Sequence, residues 1–111
     1  MNQATLVRMI LAVSLSIITS LASAQSVTAK VVNIEPSYMP DMVLFKLDAA
    51  FVSCAAGSWV YYYGTAGGST DPKKNVQAIY AGLLGTMLSG KKVEVSGPTN
   101  CVAGFIHPTN Q

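Results

Sequence analysis

One helix stands alone in this chain, and both of its ends are signalled in the sequence. Asp71 offers an N-cap carboxylate, Pro72 fills the first helical position, where no N–H is needed, and Gly90 is the residue type that stops a helix in a left-handed turn. Between them Val76, Ile79, Tyr80, Leu83, Met87 and Leu88 recur at helical spacing, which predicts an apolar face turned toward a core. Strand-like alternation lies on both sides. Val27, Ala29 and Val31 alternate with Thr28, Lys30 and Val32; Val43, Phe45 and Leu47 alternate with Met42, Leu44, Lys46 and Asp48; Trp59, Tyr61 and Tyr63 alternate with Ser58, Val60 and Tyr62. After the helix, residues 91–96, with Val93 and Val95 inward, and residues 101–106 read as two further strands. Pro36 and Pro40 enclose the first turn and Gly97-Pro98-Thr99-Asn100 forms the last, while the small polar loop 65–70 is expected to be mobile. Three strands, one helix and two strands predict an α+β, mainly β domain. Its sheet is five-stranded and antiparallel, either curled over the helix or closed into a small OB-like barrel, with the helix between the third and fourth strands.

The N-terminus has the order of a secretory signal: Arg8, an apolar run from Met9 to Ile18, and a small-residue tail ending Ala22-Ser23-Ala24. The run is too short to cross roughly 30 Å of hydrocarbon. Residues 1–24 are therefore expected to be a cleaved signal peptide. Residues 25–111 are then a single domain with no stable membrane anchor, secreted or periplasmic. In such an oxidising compartment the pair Cys54 and Cys101 reads as a disulfide. A loop of that length is stabilised by roughly 4 kcal/mol through chain entropy, a large share of the about 5–15 kcal/mol that holds a domain together.

Composition narrows the chemistry. The one arginine, Arg8, leaves with the signal; Lys30, Lys46, Lys73, Lys74, Lys91 and Lys92 then nearly balance Glu35, Asp41, Asp48, Asp71 and Glu94. A domain close to neutral and without arginine lacks the planar fork that reads phosphate or guanine, which argues against a nucleic-acid partner. His107 is the only histidine, too isolated to form a metal site with the cysteines, and no cofactor motif is present. Four of the five carboxylates have a local explanation: Asp41 opens a strand, Asp48 closes it, Asp71 caps the helix and Glu94 points outward. With a single conventional base and no adjacent nucleophile, an enzyme is the least favoured reading.

Two features remain for recognition. The first is the aromatic run Trp59, Tyr61, Tyr62 and Tyr63: either Trp59, Tyr61 and Tyr63 form the inward row of a strand, or some aromatic surface lies outside the core, with Trp59 and Tyr62 as candidate ligand contacts. The second is a stripe of small residues on the helix, Ala78, Gly82, Gly85 and Ser89. Glycine inside a helix costs about 1 kcal/mol, so the stripe implies close packing, on the domain's own sheet or on a second copy. Met42 and Leu44, on the outer face of their strand, are further interface candidates.

The segment Ile79-Tyr80-Ala81-Gly82-Leu83-Leu84-Gly85-Thr86-Met87-Leu88-Ser89-Gly90-Lys91-Lys92-Val93-Glu94-Val95, flanked by Cys54 with its aromatic strand and by Cys101, resembles small, mostly uncharacterised secreted bacterial proteins. Nearly the whole of residues 25–111 takes part in that resemblance, although the pattern carries no chemistry. In architecture alone the strand and helix order is similar to the OB-type binding subunits of pentameric bacterial toxins, which recognise glycans. The resemblance implies a non-enzymatic binding module with a glycan or protein ligand, working as a homo-oligomer. A structural partner in the periplasm or envelope is the alternative, and a small hydrolase a distant third.

Overall fold

The computed structural model describes residues 25–51, 53–97 and 100–111; residues 1–24, expected from sequence to be a signal peptide, Val52 and residues 98–99, part of the expected last turn, lie outside the described residues. Five strands form one antiparallel sheet: β1 (Gln25–Glu35), β2 (Val43–Leu47), β3 (Trp59–Tyr62), β4 (Lys92–Gly97) and β5 (Phe105–Pro108). One helix, α1 (Pro72–Ser89), lies between β3 and β4 in the chain. The spatial order is β3-β2-β1-β4-β5, so the longest strand is central and pairs with β2 on one side and β4 on the other. The ladder is open; beside it, Tyr61 of the edge strand β3 forms a parallel bridge with Val102, in the segment before β5.

The helix begins and ends where its caps stand. The Asp71 carboxylate accepts from the Lys74 N–H at 3.2 Å, Pro72 is the first helical residue, and Gly90 takes a left-handed φ of 71°. Val76 and Leu83 are fully buried against the sheet, and Ile79, Tyr80 and Met87 pack around them. Leu88, expected on the same face, is instead 75% exposed, and Thr86 takes the buried place. The apolar stripe runs along positions 76, 79, 80, 83 and 87, and Leu88 lies one helical step, about 100°, beyond it. Burial of the Thr86 hydroxyl is paid locally, by donation to the carbonyls of Leu83 at 2.9 Å and Gly82 at 3.1 Å.

Alternation in the strands selects one buried face: Ala29 and Val31 of β1, Val43, Phe45 and Leu47 of β2, Val93 and Val95 of β4, and Ile106 of β5. Two departures matter. In β1 the register shifts between Val31 and Asn33, so Val32 is extruded as a bulge and is 54% exposed, and Ile34 returns to the core side. The fifth strand starts at Phe105 and not at Cys101. Residues 101–103 leave the β4 ladder to bond with β3, and the close approach is made possible by Gly97, where a Cβ would fall 2.6 Å from the Val102 carbonyl oxygen. The loop expected to be mobile contains a 3-10 turn at Ala66–Gly68, with Ala66 packed on the core.

Candidate functional site

Orientation of β3 decides which aromatics meet solvent. Val60 and Tyr62 are buried, at 2% and 1% exposure, whereas Trp59 and Tyr61 are half-buried and Tyr63 is exposed. The inward row is thus Val60 and Tyr62, and the outer row is Trp59, Tyr61 and Tyr63, the reverse of the first alternative drawn from alternation alone. Tyr62 is not placed to touch a ligand. Its hydroxyl donates to Asn75 Oδ1 on α1, and desolvation raises its pKa above the ordinary phenol value.

The outer row holds one ring pair and one cation–ring contact. Tyr61 and Tyr63 stack with ring centroids 6.4 Å apart and planes within 12°, and the Lys46 ammonium lies 4.4 Å from the centre of the Trp59 ring. Lys46 is the register partner of Trp59 across the β2–β3 ladder, and Leu44 is the partner of Tyr61. Leu44 is 6% exposed, buried between its register neighbours Tyr61 and Glu35. As an interface candidate it is therefore corrected: this copy already covers it, and Met42 beside it is half-buried.

The cysteines are bonded, with Cα atoms 5.1 Å apart. The bond fastens the loop before β3 to the segment before β5. Around it Phe51, 1% exposed, exchanges two backbone hydrogen bonds of 2.8 Å with Cys54. On the other side the Tyr61 N–H donates to the Cys101 carbonyl at 2.7 Å, and the Ala103 N–H donates to the Tyr61 carbonyl at 2.9 Å.

The small-residue stripe divides. Gly82 faces β5, where a Cβ would lie 3.2 Å from Pro108 Cγ, so close packing on the domain's own sheet accounts for it. Ala78, Gly85 and Ser89 are exposed, and a Cβ at Gly85 would meet nothing within 4 Å. From Asn75 to Gly90 the helix carries no charged residue.

The titratable groups are dispersed. Asp41 pairs with Lys73 at 3.7 Å, Asp48 accepts from the Lys30 N–H at 2.9 Å, and Asp71 is committed to the helix cap. Glu35 accepts from the Ser37 N–H at 2.7 Å, and hydrogen bonding first from the Ser37 side chain and then from this N–H holds its pKa below the ordinary carboxylate value. His107 is exposed, stacked on Phe105, and opposite Glu94 in the β4–β5 ladder. Among the described residues no three metal-ligating side chains gather, no buried side-chain nitrogen or oxygen lacks a partner, and no helix is long and apolar enough to cross a membrane. No family model, curated protein or solved structure matches the chain.

Proposed function

We propose that the chain is an exported, non-enzymatic binding module whose ligand surface is the outer row Trp59, Tyr61 and Tyr63, with Lys46 at one end. The observation that carries this reading is the placement of three aromatic side chains on the outer side of the edge strand β3 and its end, where all three keep part of their surface in solvent while Tyr61 and Tyr63 stack. Rigid rings with a polar tip supply contact area at low entropy cost, and near-parallel rings offer flat faces to the C–H faces of a sugar. A glycan is the first ligand class to test and a protein surface the second. The cystine, and the absence of a membrane-spanning helix among the described residues, fit work in a secreted or periplasmic setting.

An OB-like arrangement, left open rather than closed into a barrel, is the architecture we assign to this module. It is supported by the strand order and by the parallel bridge that brings Val102, in the segment before β5, to Tyr61 at the edge of β3. Assembly as a homo-oligomer through the exposed helix face of Ala78, Gly85, Leu88 and Ser89 is supported by an uncharged surface on which Leu88 stands in solvent.

Screening the exported protein on a glycan array, beside Trp59→Ala and Tyr61→Ala variants, tests the ligand surface. Binding that disappears in folded variants supports it. A blank array, or binding that survives both changes, moves the reading to a structural partner in the envelope.

A further inference from the structure

The free edge of β3 is closed by the two hydrogen bonds of residues 101–103 to Tyr61, and those residues are drawn there by the bond from Cys101 to Cys54. Tyr61 lies opposite Leu44 in the β2–β3 ladder, and its N–H and C=O turn away from β2 toward the edge. Cys101 and Ala103 take up both. The next carbonyl of the outer row, that of Trp59, lies 3.9 Å from Cys54 Sγ. The cystine therefore touches the backbone of the aromatic row at two consecutive outward positions.

The two halves of this latch are held unequally. Cys54 is buried and paired with Phe51, whose side chain sits in the core. Cys101 is half-buried, and the segment it opens passes close to Gly97 at the end of β4. Once the covalent link is gone, the two backbone hydrogen bonds to Tyr61, each worth about 1 kcal/mol net, tie residues 101–103 to β3 beside the packing of Ala103. The β1–β2 and β1–β4 ladders, with Val31, Phe45, Val93 and Val95 between sheet and helix, do not pass through either cysteine.

We infer that the Cys54–Cys101 bond is a redox latch on the outer face of β3. Oxidised, it fixes Tyr61 and with it the aromatic row; reduced, the segment 101–103 leaves and the edge of β3 opens while the central ladders persist. In the reducing step a dithiol's thiolate attacks the more accessible Cys101 sulfur, the S–S bond breaks, and Cys54 leaves as a thiolate that takes up a proton. The dithiol's second thiolate then displaces Cys101 and closes its own disulfide, so two electrons and two protons have passed to the protein. As a consequence the surface is assembled only where disulfides form. The assignment of that surface as a ligand site rests on the reading proposed above; the latch itself does not.

Amide exchange of the exported protein, oxidised and treated with dithiothreitol, tests the latch, with a Cys54→Ser, Cys101→Ser double variant as a second reduced form. Reduction is expected to speed exchange at Tyr61 and Ala103 at least tenfold more than in the β1–β4 ladder, and to raise acrylamide quenching of Trp59, the only tryptophan. Exchange at Tyr61 and Ala103 that speeds up no more than in the β1–β4 ladder would overturn the latch, since loss of the bond would then act only on the stability of the whole domain; so would unchanged exchange at Tyr61 and Ala103. A differential exchange result combined with a blank glycan array supports the latch and sinks only the ligand assignment.

Discussion

The Tyr62 hydroxyl donates to the Asn75 side-chain oxygen, so the inward row of β3 is tied to the first turn of α1. The bond joins the strand that carries the outer aromatics to the helix that covers the sheet. It also gives the polar end of Tyr62, the inward tyrosine of the run, a partner on the half-buried Asn75.

Tyr62→Phe is expected to remove about 1 kcal/mol by leaving Asn75 without its donor, a fall of about 4–8 °C in Tm for a domain of this size. The phenol's pKa is raised in the folded state. Its contribution is thus fully present below the unfolded value of about 10 and is lost as pH rises through the folded one. Denaturant titrations at neutral and alkaline pH check both parts: the gap between wild type and variant should narrow above about pH 10. A gap that widens there would contradict the neutral, buried phenol.

Two glycines give opposite expectations. At Gly64 φ is +76° and a Cβ would fall 2.2 Å from the Pro72 carbonyl oxygen, a backbone atom at the start of α1. Gly64→Ala is therefore expected to cost more than about 3 kcal/mol, because strain and collision act together. At Gly85 the space is open and the backbone helical, so Gly85→Ala is expected to stabilise by roughly 0.5–1 kcal/mol through helix propensity. Thermal melts of the two variants read both signs in one experiment.

Much of this was readable from local chemistry. Asp71, Pro72 and Gly90 mark the helix because capping is decided within one turn, and the central strands follow from alternation in Val43–Leu47 and Val93–Val95. Which face of β3 turns inward was not readable: alternation separates the odd from the even positions but does not rank two rows that both contain tyrosine. Val60, the one aliphatic residue in the run, was the available signal. The bulge at Val32 and the late start of β5 depend on contacts distant in sequence, with β2 and with Tyr61, and no local pattern encodes them. Leu44 looked like a residue in need of a partner because its cover, Tyr61, comes from a different strand.

Replacing Cys54 and Cys101 together by serine removes a cross-link worth roughly 4 kcal/mol in the chain-entropy account, which corresponds to a Tm lower by roughly 15–30 °C. Calorimetry in the oxidised state and after reduction should give the same loss for wild type plus dithiol as for the double variant. A wild type that melts unchanged under reduction, with both thiols then open to alkylation, would show that packing of Phe51 and Ala103 suffices without the bond.

The exposed face of α1 gives the last expectation. A solvent-facing helix surface normally carries charge, yet from Asn75 to Gly90 there is none, and Leu88 is 75% exposed beside Gly85 and Ser89. Small side chains let another backbone come close, and a leucine standing next to them is the natural knob for such a contact. If copies pack through this face, sedimentation of the protein should show an oligomer at micromolar concentration, and Leu88→Glu should convert it to monomer with Tm changed only by the loss of association. Gly85→Leu should do the same by filling the close approach, although a side chain there meets nothing within one copy. Gly82→Leu is the contrasting case: its Cβ would already stand 3.2 Å from Pro108, so this change should disturb the monomer itself. A wild type that sediments as monomer across the concentration range removes the oligomer from the proposed function, and leaves Gly82 alone, of the two stripe glycines, with a packing role.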